Sequence, residues 1–501
     1  MTKKIQSDLQ EKLLSKFREI CRQGQAENEP DEQSIFLKNF LPIQAHFRVL
    51  DPDVRIIIGD KGAGKTHLFR VLEIDQGREA LVKLAKGKGL PIPQLDKTAW
   101  LIGYHTSGME FPPGRVIGNF AKGKDPSVLQ DIWLSLLVRT LLTSGKIRKT
   151  VLSALLQEVL TSRTWDMDNL NNHVTKNQGT LFAILDELEA DLQTRGEFIF
   201  ISYDELDRVS PGDWDALKTI LRGLIQFWAA YGRRWKRIRP KLFLRRDLYK
   251  QAAIFGPDIA KIASNRAELL WQIHEFYGVA IKRLINDEDF FTYLKPAKPL
   301  FDENKVLGRM PEVSKEEDYL PVVNRLFGEY MGPDPRKGLT LRWIPNHLKD
   351  GHGRIYPRPL LRLLEEASEI EIRDRKARGT STLIHHTAIR GALDNVSEFR
   401  VQELAQEEFP WIEAIRKKFE GRNLLVPSER WDFLKALSID WGKEKVRPPD
   451  TTPDSLLDYL VELGIFSNRR DGRIDAGDLY LRGLHLKRKG GVARPKKVGV
   501  N

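Results

Sequence analysis

Apolar positions along this chain follow two different rhythms. Short continuous apolar runs recur at wide intervals: Val54-Arg55-Ile56-Ile57-Ile58, Trp100-Leu101-Ile102-Gly103-Tyr104, Phe198-Ile199-Phe200-Ile201 and Leu242-Phe243-Leu244. Runs of this length without alternation predict strands buried on both faces, as in a parallel sheet. Between them the apolar residues fall at helical spacing. Leu68, Val71 and Leu72 form one such stripe; Ile132, Leu136, Leu137 and Leu141 another; Leu181, Ile184, Leu185 and Leu188 a third; and Trp214, Leu217, Leu221, Leu224, Ile225 and Trp228 a fourth. Strands alternating with helices predict an α/β fold, a parallel sheet with flanking helices. Residues 108–126, rich in Gly and Pro, read as a loop, and 127–193 as mostly helical.

The flanks are helical. Leu9, Leu13, Leu14, Phe17 and Ile20 predict an N-terminal helix, followed by the polar turn Asn28-Glu29-Pro30-Asp31. From about residue 265 a helix is expected through Leu269, Leu270, Ile273, Phe276, Val279, Ile281 and Leu284. Residues 295–345 read as loop-rich. Tyr356-Pro357-Arg358-Pro359 then opens a helix over 360–367, where proline fits the first turn. Near the end, Pro453-Asp454-Ser455 caps a helix through Leu456, Leu457, Leu460 and Leu463 that Gly464 stops. Ile465 to Arg470, the turn Asp471-Gly472, and Arg473-Ile474-Asp475 predict a β-hairpin. The expected divisions are an N-terminal arm (1–33), a core (34–265) with a helical insertion at about 105–193, a helical lid (266–394) and a C-terminal winged-helix domain with a basic tail (395–501).

The chemistry concentrates at the ends of two predicted strands. Gly59-Asp60-Lys61-Gly62-Ala63-Gly64-Lys65-Thr66-His67 follows the first and opens a helix, matching the phosphate-loop pattern G-x-x-x-x-G-K-[ST] at every fixed position. Glycines let successive backbone N–H groups turn inward toward phosphate oxygens, and the helix N-terminus adds positive potential. Lys65 is suited to the outer phosphates, and the Thr66 hydroxyl to Mg2+. The second end is Tyr203-Asp204-Glu205-Leu206-Asp207-Arg208. Asp204 is the expected Mg2+ partner and Glu205 the residue that orients the attacking water. Asp207 can substitute in either role, and Arg208 fits an ion-pair partner. Arg245 or Arg246, after the strand 241–244, is the candidate γ-phosphate sensor, with Arg245 preferred. Arg358 is the candidate for a lid arginine that reaches the nucleotide.

Composition narrows the partners. The 501 residues carry 81 Lys and Arg against 69 Asp and Glu, a net charge of +12. The excess is uneven: residues 231–250 hold nine basic side chains and one acid, Asp247, and residues 482–501 hold seven and none. Such patches serve either solvation or a polyanion. Arg469, Arg470 and Arg473 at the hairpin tip, with Lys487, Arg488 and Lys489, are the candidate nucleic-acid contacts. The single cysteine excludes an internal disulfide framework and points to a reducing, cytoplasmic setting. No apolar run is long enough to span a membrane. No Cys/His cluster has metal-site spacing, and no N-K-x-D motif reads guanine.

In order of parts, the chain resembles the AAA+ ATPases in the wide sense, on the side of the origin-recognition, KAP and STAND NTPases. The resemblance rests on Gly59–Thr66, Tyr203 to Arg208, the strand ending Phe243-Leu244-Arg245, the Tyr356-Pro357-Arg358 helix start and the terminal winged helix. The phrase Phe243-Leu244-Arg245-Arg246-Asp247 looks like the F-L-R-x-D of a bacterial ATPase class often accompanying mobile elements or antiphage systems. The resemblance implies Mg-ATP hydrolysis coupled to a switch that controls a partner effector, and a homo-oligomer. A different reading is an ATP-dependent DNA-binding protein of the loader or transposition-regulator type.

Overall fold

The structure, a computed structural model, describes residues 2–23, 32–90, 92–210, 212–253, 265–374 and 382–489. The turn at 28–31 and the tail beyond 489 lie outside the described residues. The chain forms two compact units. One comprises residues 29–270 and 301–310; the other comprises 1–28, 271–300 and 311–501.

The helix α1 (Thr2–Gln23) belongs to the second unit. The first unit opens with α2 (Gln33–Asn39) and α3 (Gln44–Arg48), then β1 (Ile56–Gly59). The loop 60–64 leads into α4 (Lys65–Glu73), followed by α5 (Asp75–Gly87) and β2 (Thr98–Tyr104). Four helices come next: α6 (Gly114–Ala121), α7 (Pro126–Thr143), α8 (Ala154–Thr161) and α9 (Met167–Arg195). Then come β3 (Phe198–Tyr203), α10 (Trp214–Tyr231), β4 (Ile238–Arg245), α11 (Arg246–Ala253) and β5 (Arg266–Glu268). A short hairpin, β6 (Phe301–Asn304) with β7 (Gly308–Pro311), completes the set.

Strands β1 to β5 form one parallel sheet in the order β2-β3-β4-β1-β5. Every residue of β1 and β4 is buried, which explains the apolar runs Ile56–Ile58 and Leu242–Leu244, though β4 also buries Arg239, Lys241 and Arg245. Register decides what meets at the carboxyl edge. Gly59 pairs with Arg245, and Tyr203 with Leu242. The glycine loop, the acidic end of β3 and the arginine end of β4 therefore emerge side by side, the edge where open α/β sheets place ligands.

Two sequence expectations are corrected here. The Gly/Pro-rich stretch 108–126 contains α6, whose Ile117, Phe120 and Ala121 are buried. Its Gly118 has no room for a Cβ, which would lie 2.8 Å from Ser210 Oγ, so this glycine serves close packing rather than a turn. The helix expected from residue 265 starts only at Ile273. Residues 266–268 are instead the edge strand β5, too short to reveal a period and carrying two ionised side chains.

In the second unit, α1 buries Leu13, Leu14 and Phe17, with the Phe17 ring 5.6 Å from Phe290. Its other helices are α12 (Ile273–Ile285), α13 (Glu288–Leu294), α14 (Leu320–Phe327), α15 (Thr340–Leu348), α16 (Pro357–Asp374) and α17 (His386–Glu403). The stretch 295–345, expected as loop-rich, thus holds β6, β7, α14 and the start of α15 besides loops. The C-terminal part runs α18 (Ile412–Phe419), β8 (Leu425–Val426), α19 (Arg430–Leu437), α20 (Pro453–Glu462), β9 (Phe466–Asn468), β10 (Ile474–Ala476), α21 (Asp478–Leu481) and β11 (Lys487–Arg488). β9 and β10 pair antiparallel, and Ser428 bridges to Ile474. Helix, strand, two helices and a hairpin returning to the first strand is the winged-helix order. Among the described residues no helix is long and apolar enough to cross a membrane.

Candidate active site

The glycine loop is shaped by backbone that L side chains resist: Gly62 and Gly64 have φ of 80° and 90°. Ala63 N–H donates to Asp60 O at 3.1 Å, and Leu68 N–H to Gly64 O at 3.0 Å as α4 begins. Lys65 Nζ folds back and donates to Gly59 O (2.9 Å) and Asp60 O (3.2 Å). Burial lowers its pKa, while Asp207 and Asp204 favour its charge. These two carbonyls hold the ammonium against the loop backbone.

At the end of β3, Asp204 is 2 % exposed and its Oδ2 has no hydrogen-bond partner. Burial pushes its carboxyl up to about 7, against the pull of the Glu205 backbone N–H, the Lys65 ammonium and the Thr66 hydroxyl. A buried carboxylate oxygen without a donor, beside a threonine hydroxyl, fits a hard cation held by oxygen ligands. Among the described residues no three acidic, histidine or cysteine side chains cluster as a metal cage. Asp204 and Thr66 would supply the one or two protein ligands that Mg2+ takes, the rest being phosphate and water.

Glu205 takes a left-handed backbone (φ 55°), rare for a residue with a Cβ, so its side chain leaves the strand direction. The carboxylate accepts from Thr106 Oγ1 at 2.6 Å, Ser107 Oγ at 3.0 Å and Arg208 Nη1 at 3.1 Å. Arg208 is thus an ion-pair partner. Thr106 and Ser107 were missed in the sequence; the signal was a polar Thr-Ser pair just past an apolar strand, at the same sheet edge as the acids.

Arg245 is 6 % exposed and pairs with Asp247 (2.7 Å) and Asp207 (3.3 Å). Burial opposes ionisation of Asp207, but Arg245 and Lys65 hold its pKa below the usual aspartate range. Arg246 pairs with Asp60 (3.1 Å) and Glu268 (2.9 Å), tying the glycine loop to α11 and β5. Neither arginine is a surface charge. The His67 ring lies 4.6 Å from the Phe36 ring and 5.4 Å from Phe40, packed among aromatics. Arg358 stands at the start of α16, in the other unit, and pairs with Glu403 at 3.4 Å.

Part of the basic run 231–250 is absorbed by the fold, while Arg233, Lys236 and Lys250 are exposed. Arg234 is clamped by Asp186, and Arg237 stacks 4.4 Å over the Phe198 ring. Arg239 donates to Gly232 O, and fully buried Lys241 donates to Asp51 O and Val54 O, both at 2.6 Å. At the hairpin tip, Arg469 pairs with Asp475 (3.1 Å) and Arg473 with Asp471 (2.6 Å). Arg488 pairs with Asp475 and Asp478, and Lys487 donates to Asn423; both belong to β11, paired with β8, rather than to a free tail. Lys489 N–H donates to Val426 O. Arg470 is exposed and has no acidic partner among the described residues.

The sequence matches no protein-family model and no curated protein. Solved structures of similar arrangement include the Aeropyrum pernix ORC2 protein in ADPNP–ADP complexes, at 16% identity and a TM-score of 0.41, covering 90% of this chain and 94% of that one. The Aeropyrum pernix ORC1 protein in complex with DNA gives 13% and 0.33, over 92% and 93% of the two chains. A Walker-type ATPase of Pyrococcus abyssi gives 12% and 0.36, over 89% and 95%. The fold is read from this chain itself: a glycine loop follows β1, and β4 is interposed between β1 and the acidic strand β3 in a parallel sheet flanked by helices.

Proposed function

We propose that this chain binds Mg-ATP and hydrolyses it as a switch. The observation that carries the reading is Asp204, buried with one oxygen undonated, in the field of Lys65 and beside Thr66. The N–H groups of Gly59 to Thr66 hold the phosphates, and Lys65 exchanges its two carbonyl partners for the outer phosphate. Thr66 and Asp204 hold Mg2+, which when bound offsets phosphate charge. Glu205 accepts a proton from, and orients, the attacking water. Arg245, braced by Asp207 and Asp247, sets a positive charge level with Gly59 and serves as sensor.

Hydrolysis drives a change in the lid or the oligomeric state that controls a partner effector. A role in antiphage defence rests on the Phe243–Asp247 resemblance alone. The DNA-binding alternative draws on Arg470 and Lys489, whereas Arg469, Arg473 and Arg488 already have acidic partners. Phosphate release and nucleotide affinity of Lys65→Ala test the reading: both should collapse, and unchanged turnover overturns it. Mass photometry of Glu205→Gln with ATP reads the oligomeric state of the trapped form.

A further inference from the structure

A cleft of about 410 Å3 lies within the first unit, between α7, α9 and α10, away from the glycine loop residues. Its chemistry is one-sided. Phe182, Phe227 and Tyr231 supply aromatic walls, with Phe182 and Tyr231 ring centroids 4.5 Å apart and Phe227 and Tyr231 5.3 Å apart. Asp131 supplies a carboxylate. Thr175 Oγ1 donates to it at 2.8 Å and Gln178 Nε2 donates to its other oxygen, so the group is held in place. No basic side chain pairs with Asp131 among the described residues, and no lysine or arginine lines the cleft. Asn171 adds a buried carbonyl oxygen with no donor. In a chain of net charge +12, an oriented carboxylate left without a cation is unusual.

We propose that this cleft binds an organic cation, a guanidinium or alkylammonium group, by charge-assisted bonds to Asp131, a donated bond to Asn171 Oδ1 and contact with the half-buried rings of Phe182 and Tyr231, which Phe227 backs. An anion or a phosphate is disfavoured by the carboxylate and by the lack of a lysine or arginine in the lining. A purely apolar ligand leaves the Asp131 charge and the Asn171 oxygen without a positive or donating partner. Aromatic faces and a carboxylate together select positive charge. The volume suits a small molecule or a single side chain. The cation comes either free in solution or on an arginine or lysine of a partner protein. The proposal is independent of the nucleotide chemistry.

Calorimetric titration of the full chain tests it with butylguanidinium, its neutral isostere butylurea, and a capped arginine-containing pentapeptide. Butylguanidinium should bind and butylurea should not. Asp131→Asn should weaken the cation by about tenfold or more, and Tyr231→Leu should weaken it with the charge intact. Tighter binding of the peptide than of butylguanidinium assigns the cation to a partner protein; the reverse assigns it to a free ligand. Equal binding of the cation and the urea overturns the proposal, as does no binding of either cationic probe. Affinity unchanged in both folded variants also overturns it.

Discussion

Replacing Asp204 by Asn keeps the shape of the side chain and removes its charge, which makes the energetic cost of the proposed metal site measurable. In the folded chain burial raises this carboxyl from 3.8 to about 7. In the unfolded chain it titrates near its ordinary value. Between about pH 4 and pH 7 the folded state therefore holds a proton that the unfolded state has released. Stability falls as pH rises through that window and levels off above it. Each unit is worth about 1.4 kcal/mol, so the whole window is on the order of 4 kcal/mol. From pH 5 to pH 8 about two of those units are crossed, or about 3 kcal/mol. Asn does not titrate, and the other groups largely cancel in the comparison. Urea denaturation without nucleotide should show the variant gaining about 3 kcal/mol on the wild type between pH 5 and pH 8. Mg-ATP should stabilise the wild type through the carboxylate, and the metal-dependent part of that gain should vanish in the variant. A gap that stays constant with pH refutes the buried-carboxylate argument; an unaltered Mg2+ dependence refutes the metal assignment.

Glu205→Gln should keep nucleotide affinity and lose turnover by about 10²-fold or more, read by single-turnover phosphate release, because an amide cannot take the proton. Retained turnover assigns the base elsewhere. Glu189, 4 % exposed, accepts backbone N–H groups from Lys236, Arg237 and Ile238 at the entry to β4. Glu189→Ala should therefore cost about 3 kcal/mol in denaturant unfolding, and a loss below about 1 kcal/mol contradicts the clamp. At the hairpin tip, Asp471→Asn together with Asp475→Asn frees Arg469 and Arg473, while Arg488 stays paired with Asp478. If the wing is a DNA surface, duplex affinity should rise and its salt dependence steepen; unchanged binding removes the tip from any DNA interface.

The sequence alone determined the glycine loop, the acidic strand end and the α/β class. Each is a local pattern: glycines where the backbone needs positive φ, a lysine and threonine at fixed offsets, and apolar runs whose length marks doubly buried strands. It also located the helix that starts at Pro357 and the C-terminal hairpin, because proline and Asp-Gly act within a few residues. What it could not carry was anything set by register or by pairing across the chain. Arg245 lies 186 residues from Gly59, and only strand pairing sets them level. Arg245 and Arg246 look alike in sequence, yet β4 turns one to Asp207 and Asp247 and the other to Asp60 and Glu268. The three-residue β5 is too short for a period and exists only because β1 offers it an edge. Thr106 and Ser107 matter only because β2 lies beside β3, bringing their hydroxyls to Glu205. Charge was the least legible feature. Composition counts a lysine the same whether it is solvated or, like Lys241, bonded to two carbonyls in the core, and burial is decided by the tertiary fold.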